Sequence, residues 1–257
     1  MQPIARLLEI MAKLRSPEGC PWDREQNHQS IKAQLIEECY ELVEAIETND
    51  SALMKEELGD VLLHVVFHCQ LGREDGVFDF NSVAEGICEK LVRRHPHVFG
   101  TETLGTSQEV LVAWQELKKK EKPERDSVLA GVPKPLPALM RGQEIQKKAA
   151  RVGFDWSSPQ PVLAKVYEEL GEVEDAIAKN EGVEEEIGDL FFAAVNLARH
   201  HGIDAEFACR RAVDKFEKRF RLVEKGYQDR GENMEKASLE EMDRHWEIAK
   251  KAVSSQG

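Results

Sequence analysis

QLIEECYELVEAI, residues 34–46, returns as KVYEELGEVEDAI at residues 165–177, and KEELGDVLLHVV at 55–66 returns as EEEIGDLFFAAV at 184–195. The two offsets, 131 and 129, are nearly equal (165 − 34 and 184 − 55), so the chain carries an internal repeat rather than two chance likenesses. The correspondence continues with Lys90 and Arg94 opposite Lys215 and Arg219, and with Trp114 roughly opposite Trp246 after a longer insertion. Within and around these stretches apolar residues recur at spacings of three and four, as in Leu7, Met11 and Leu14, or Val162, Val166, Leu170 and Val173. Few segments alternate with period two. The expected fold class is all-α: one helical-bundle module duplicated in tandem.

Proline and glycine fall between the periodic segments, most densely in KKKEKPERDSVLAGVPKPLP, residues 118–137, where a charge run meets four prolines. The expected organisation is an N-terminal module over 1–120, a linker over 121–137 and a C-terminal module over 138–257. A length of 257 residues accommodates two small domains. With 35 Lys+Arg against 48 Asp+Glu the net charge is −13, which argues against a general nucleic-acid or anionic-membrane surface, since both need clustered cations. The five cysteines, Cys20, Cys39, Cys69, Cys88 and Cys209, form no CxxC pair and suit a reducing compartment. MQPIARLLEIMAKLRSPEG lacks the pattern of a secretory leader, and the most apolar run, Val61 to Cys69, is interrupted by His64 and His68. A cytoplasmic protein without a membrane span is expected.

At about 100° per residue, Glu37, Glu38, Glu41 and Glu44 share one arc of their helix, and Ile36, Cys39, Tyr40, Val43 and Ile46 the other. Alone, that arc is what any solvated helix face looks like. The next helix changes the weight of the observation. There Glu57 and Asp60, or Glu186 and Asp189, precede VLLHVVFHC (61–69) and LFFAAVNLA (190–198), which are apolar nearly all round and need burial. Carboxylates one turn before a buried stretch sit at the edge of a core, where ionised groups need pairing or a cation. Two helices each bringing carboxylates to one rim make a hard-oxygen site that suits Mg²⁺ or Mn²⁺ better than zinc. A di-iron centre would need Glu-x-x-His, and the third residue on is Asp60 or Asp189. Magnesium favours phosphate co-ligands, so the pattern points to a di- or triphosphate substrate.

With GCPWDREQNH (19–28), RRHPHVFG (93–100) and KKAARVGFDW (147–156), the duplicated ExxE and ExxD motifs resemble the MazG-type nucleoside triphosphate pyrophosphohydrolases over essentially the whole chain. The resemblance implies all-α modules in an intertwined homodimer, Mg²⁺ dependence, and hydrolysis of NTP to NMP and pyrophosphate. It implies Glu169, Glu172, Glu186 and Asp189 as metal ligands, with Glu38, Glu41, Glu57 and Asp60 as the corresponding N-terminal set. It makes Lys215 and Arg219 phosphate contacts and Trp246 a nucleotide contact. By pattern alone Lys215 and Arg219 also read as a solvent-facing pair, and Trp246 as core in a Leu239, Met242, Trp246 stripe. Glu168 or Glu185, beside the ligand positions, could orient the attacking water or bind an outer metal.

The C-terminal copy is expected to carry most of the catalysis. Lys165 shares a helical face with Glu168, Glu169 and Glu172, and Asn196 lies two turns along the face of Asp189. The N-terminal copy has Gln34 and Phe67 there. His64 could reach a metal from Asp60's face, but its counterpart is Ala193, which favours a packed, hydrogen-bonded histidine. His95 and His97 flank Pro96 at an expected helix stop, and GCPWDREQ is expected to be a structural turn packing Trp22. Two other readings differ in substrate and in class: an all-α pyrophosphatase restricted to dUTP, dCTP or phosphoribosyl-ATP, and a silent helical scaffold whose acidic faces bind a basic partner.

Overall fold

The structure, a computed structural model, describes residues 2–121 and 127–254. The chain divides into two compact units, Met1–Pro123 and Glu124–Gly257. Among the described residues all regular structure is helical, as the 3.6-residue periodicity predicts. Part of the expected linker, Lys122 to Asp126, lies outside the described residues.

In the first unit α1 (Pro3–Leu14) opens on a proline at its first position, and α2 (Pro21–Glu25) does the same. Between them Gly19 is required, because a Cβ there would come within 2.1 Å of the Leu14 carbonyl oxygen. The expected turn at GCPWDREQ is thus a short helix. It does not pack Trp22, which is 53% exposed. What holds the segment is Arg15, whose guanidinium donates to the carbonyls of Asp23 and Gln26 and forks onto the Glu74 carboxylate at 2.7–2.9 Å. Cationic forks do here what an aromatic was expected to do.

The acidic pair of helices follows: α3 (Lys32–Glu47) and α4 (Ser51–Glu74), packed on each other, with α1 also against α4. Asn49 reverses the chain between them in the left-handed region, φ 54°, and the Asp50 carboxylate caps α4 by accepting from the Ala52 and Leu53 amides. The core of this unit is Met11, Ile31, Val66, Phe67 and Leu71. Then come α5 (Phe80–Arg94), opened by an Asp79–Ser82 capping box and stopped before Pro96 as expected, α6 (Pro96–Phe99) and α7 (Ser107–Glu121).

The second unit repeats the plan. After α8 (Ala138–Ala150), α9 (Pro159–Lys179) packs on α10 (Val183–His200), and the reversal again uses an asparagine, Asn180, at φ 54°. Next, α11 (Ala205–Gln228) runs unbroken where α5 is stopped, and α12 (Leu239–Ser254) packs along it. The buried Gln143 of α8 ties the α10–α11 turn by donating to the Ile203 carbonyl at 3.0 Å and accepting from the Ala205 amide at 2.8 Å. Val223, Tyr227 and Ala249 form a core between α11 and α12, against which Trp246 and Met242 pack; Leu239 of the expected stripe is exposed.

One expectation changes with the packing. The apolar arc of α3 is only partly covered: Tyr40 and Val43 are half-buried, but Ile36, Cys39 and Ile46 are exposed, whereas Ala45 is buried and Glu38 half-buried. Likewise Leu62, Leu63 and Val65 of α4 and Phe191 and Phe192 of α10 stay partly exposed within the chain. The covered face of α3 runs through Leu35, Glu38, Leu42 and Ala45, between the two arcs, so Glu38 alone of the acidic arc is drawn inward while Glu37, Glu41 and Glu44 stay exposed.

Candidate functional site

Each acidic helix pair gathers three carboxylates. In the first unit they are Glu38 and Glu41 from α3 and Glu57 from α4; in the second, Glu169 and Glu172 from α9 and Glu186 from α10. In each group one oxygen per residue lies within 4.8 Å of the others. The asparagine reversals bring about this meeting, because they fold ExxE back against the helix that carries ExxD. One carboxylate of each set is buried, Glu57 at 8% exposure and Glu169 at 6%.

Crowding like charges at a core edge disfavours ionisation. Burial holds the Glu38 carboxyl above its ordinary range, with repulsion from Glu41 and Asp60 and a hydrogen bond from Glu41 adding to it. Glu57 is raised first by burial and then by Glu41 and Asp60. Glu172 is raised chiefly by a hydrogen bond shared with Glu169, then by burial and by the charges of Glu169 and Glu186, against an opposing pull from Lys165. An oxygen-only set of mutually repelling carboxylates, one of them buried, fits a hard divalent cation.

The remaining expected residues fall around these clusters. Asp60 and Asp189 both lie outside the gathered oxygens: Asp60 is half-buried and close enough to raise Glu38 and Glu57, and Asp189 is exposed one turn beyond Glu186. Lys165 is spoken for: its ammonium donates to Glu168 and Glu169, each at 2.8 Å, and these bonds raise its pKa. Glu168 is therefore held by Lys165, and Glu185 is exposed in the first turn of α10. Asn196 does not reach out to solvent. It is buried, and its Oδ1 accepts from Arg199 Nε at 2.9 Å.

That bond belongs to a network the sequence reading missed. Asp155 of the VGFDW segment accepts from both terminal nitrogens of Arg199, at 2.9 and 2.5 Å, and pairs with His200 at 2.9 Å. Its carboxyl is held below the ordinary range, first by the Arg199 hydrogen bonds. The signal was an Asp in a motif segment with Arg-His at the end of the facing helix, but nothing in the spacing joins them.

Lys215 is exposed on α11, and Arg219, one turn on, is half-buried. The Arg219 guanidinium lies 6.0 Å from the Trp246 ring centre, and its Nε is buried with no hydrogen-bond partner among the described residues. Trp246 packs on Phe216 with ring centres 5.0 Å apart. The core and the contact readings of Trp246 thus coincide, one face packed and the ring beside a cation. In the first unit Arg94, opposite Arg219, is engaged differently: with Arg93 it grips Glu121, Arg93 Nε at 2.9 Å and Arg94 by a short two-point contact. The expected linker start at 121 hid this carboxylate inside a helix. His64 is packed and its Nε2 stands 4.0 Å from Glu38, but its buried Nδ1 has no partner among the described residues, so the expected hydrogen-bonded histidine is only half right. Burial lowers its pKa.

Comparison with known proteins places this geometry. Residues 26–99 and 157–223 each match the MazG nucleotide pyrophosphohydrolase domain, so both carboxylate clusters and both Lys/Arg pairs lie inside the matched segments. The nucleoside triphosphate pyrophosphohydrolase of Escherichia coli K12 is 47% identical over 258 residues, covering 98% of each chain. The nucleoside triphosphate pyrophosphohydrolase/pyrophosphatase MazG of Thermotoga maritima is 49% identical over 245 residues, 95% of this chain and 94% of its own. The chain therefore belongs to the MazG nucleotide pyrophosphohydrolase family, as a protein with two copies of the domain.

Proposed function

We propose that the protein hydrolyses nucleoside triphosphates to the monophosphate and pyrophosphate, with Mg²⁺ held by Glu169, Glu172, Glu186 and Asp189, and that the C-terminal unit does most of the work. The observation that carries this reading is the second carboxylate group: three ligand oxygens within 4.8 Å, one on the buried Glu169, with the Glu172 carboxyl held above its ordinary range. A Mg²⁺ ion held by these carboxylates would supply Lewis-acid polarisation of the α-phosphorus and a more acidic water. The chain's own groups supply the rest. Lys215 and Arg219, one turn apart on α11, meet the charge that develops on the departing pyrophosphate. Arg219 is suited to that, since its Nε carries an unused donor. Lys165 balances Glu168 and Glu169 and is placed to turn to a phosphate oxygen once a cation takes over those carboxylates. Glu168 or Glu185 orients the water. Glu38, Glu41, Glu57 and Asp60 form a second, lesser metal site.

Mg²⁺-dependent pyrophosphate release across an NTP and dNTP panel tests this directly. The panel also separates broad from narrow substrate choice, and silence across it favours the acidic scaffold. The same reading makes the protein a cytoplasmic homodimer that uses neither nucleic acid nor membrane. The net charge of −13 and the free thiols agree with that. So do the outward apolar side chains of α3, α4 and α10, which need a second set of helices to cover them. Sedimentation of a monomer at micromolar concentration would overturn the dimer.

A further inference from the structure

The two units treat equivalent arginines in opposite ways. Arg94 is a tenth exposed at its side chain and engages the Glu121 carboxylate at two points, with Arg93 Nε bonded to the same Oε1. Arg219 has a buried Nε without a partner among the described residues, and its guanidinium lies beside the Trp246 indole. The register differs in kind. Glu121 stands seven residues after Trp114, and seven residues after Trp246 stands Val253, so the position that is an anion in the N-terminal copy is apolar in the C-terminal one. A carboxylate in an arginine fork makes the same planar, charge-assisted contacts as a phosphate group. Hydrogen bonds from Arg94 and Arg93 hold the Glu121 carboxyl down at about 2, so it is an anion at neutral pH.

We propose that Glu121 is a built-in substrate mimic: it occupies Arg94, the arginine of the N-terminal unit that corresponds to the phosphate-gripping Arg219, and so keeps triphosphate out of that unit. The proposal rests on the reading of Arg94 and Arg219 as equivalent phosphate contacts. It explains why the N-terminal unit can keep its carboxylates and its Lys/Arg pair and still be the lesser centre. The blocking anion sits in the unit that also has Gln34 and Phe67 in place of Lys165 and Asn196. A purely structural role, tying α7 to α5, makes a different prediction, because then removing the carboxylate costs stability and gains nothing.

The test uses the full-length chain with the C-terminal centre silenced by Glu172→Ala and Glu186→Ala, and follows Mg²⁺-dependent binding of α,β-methylene-ATP by calorimetry. Adding Glu121→Gln is expected to tighten binding by about tenfold or more, the scale of freeing one charge-assisted fork. Adding Arg94→Gln on top is expected to erase the gain. In parallel, Arg219→Gln is placed in the otherwise unaltered chain. If Arg219→Gln weakens analogue binding while Glu121→Gln leaves the N-terminal unit unchanged, the mimic is refuted and the phosphate reading stands. If Arg219→Gln has no effect, the phosphate reading fails and the mimic with it. Should Glu121→Gln lose helicity, the reciprocal Val253→Glu decides: weaker analogue binding by the C-terminal unit supports the proposal, and unchanged binding overturns it.

Discussion

Metal-free protein is expected to gain thermal stability from Mg²⁺, and to gain far more near pH 8 than near pH 5. The reason lies in the six gathered carboxylates, three per unit. Glu38, Glu57 and Glu172 are all held above the ordinary carboxylate value of 4.5. A carboxyl whose folded pKa is raised binds its proton more readily folded than unfolded. The clusters therefore cost nothing below the ordinary value, cost progressively more as pH climbs through the window up to the raised values, and carry the full penalty above it. A cation relieves that penalty where protons no longer do. At a hundredfold excess over its dissociation constant, a ligand adds about 2.7 kcal/mol to the unit it binds. At about 3–4 °C per kcal/mol for a unit of this size, that is roughly 10 °C. Near pH 5 protons compete for the same oxygens and the increment shrinks. The quantity to compare is the increment between chelator and saturating MgCl₂ in a calorimetric scan. The absolute melting temperature also moves with Glu74, Asp79, Glu121 and Asp155, whose lowered pKa values act in the opposite sense. An increment equal at both pH values, or one unaffected by Glu57→Gln together with Glu172→Gln, would refute the reasoning.

Three further outcomes are expected. Glu172→Ala plus Glu186→Ala should abolish most Mg²⁺-dependent pyrophosphate release with helical content nearly unchanged, while Glu41→Ala plus Glu57→Ala should leave most of it; equal losses would contradict the assignment to the C-terminal unit. Gln143→Ala should destabilise the second unit by about 2–4 kcal/mol in chemical denaturation, because the Ala205 amide and the Ile203 carbonyl both lose their partner. Asp155→Asn should flatten the acid limb of the stability profile. The lowered pKa of Asp155 means its stabilisation is present above the ordinary value of 3.8 and lost as pH falls through the folded value, so an unchanged acid limb would show the Arg199–His200 clamp to be inert.

Much of the fold is readable from the repeat. Period, punctuation and the Asn49 and Asn180 reversals are local properties, set by each segment's own side chains and backbone preferences. The faces are harder. A helical wheel divides α3 into acidic and apolar arcs and assigns the apolar arc to the core by default, yet the covered face is Leu35, Glu38, Leu42 and Ala45, between the arcs, and it draws Glu38 toward Glu57 of α4. The default fails because carboxylates of the two helices, Glu38 and Glu41 with Glu57, are gathered at the edge of the contact, an arrangement whose mutual repulsion a divalent cation would relieve. The clusters themselves were predictable, since ExxE and ExxD each fix two carboxylates on one helix face. That the aspartate of ExxD stays outside both gathered sets was not, nor that Asp60 is half-buried and Asp189 exposed at equivalent positions of the repeat. The long-range clamps of Arg15 and Arg199 leave no periodic trace at all.

The divergence of the two copies can be followed from one dipeptide to the state of an arginine. After Arg94 the chain reads His95-Pro96, and the proline ends α5 there. After Arg219 it reads Phe220-Arg221, with no helix breaker, and α11 continues to Gln228. That continuation carries Val223 and Tyr227, which with Ala249 make the α11–α12 core and so lay Trp246 against Phe216 beside Arg219. The early stop denies the first unit this extension. Its last helix meets α5 instead through Glu121, an anion seated on Arg93 and Arg94. One copy therefore ends with an arginine backed by an aromatic ring and holding a spare donor, the other with an arginine already bonded. Because each copy keeps its three gathered carboxylates, what would separate a stronger centre from a weaker one on this account is less metal binding than the availability of a cation to the phosphates.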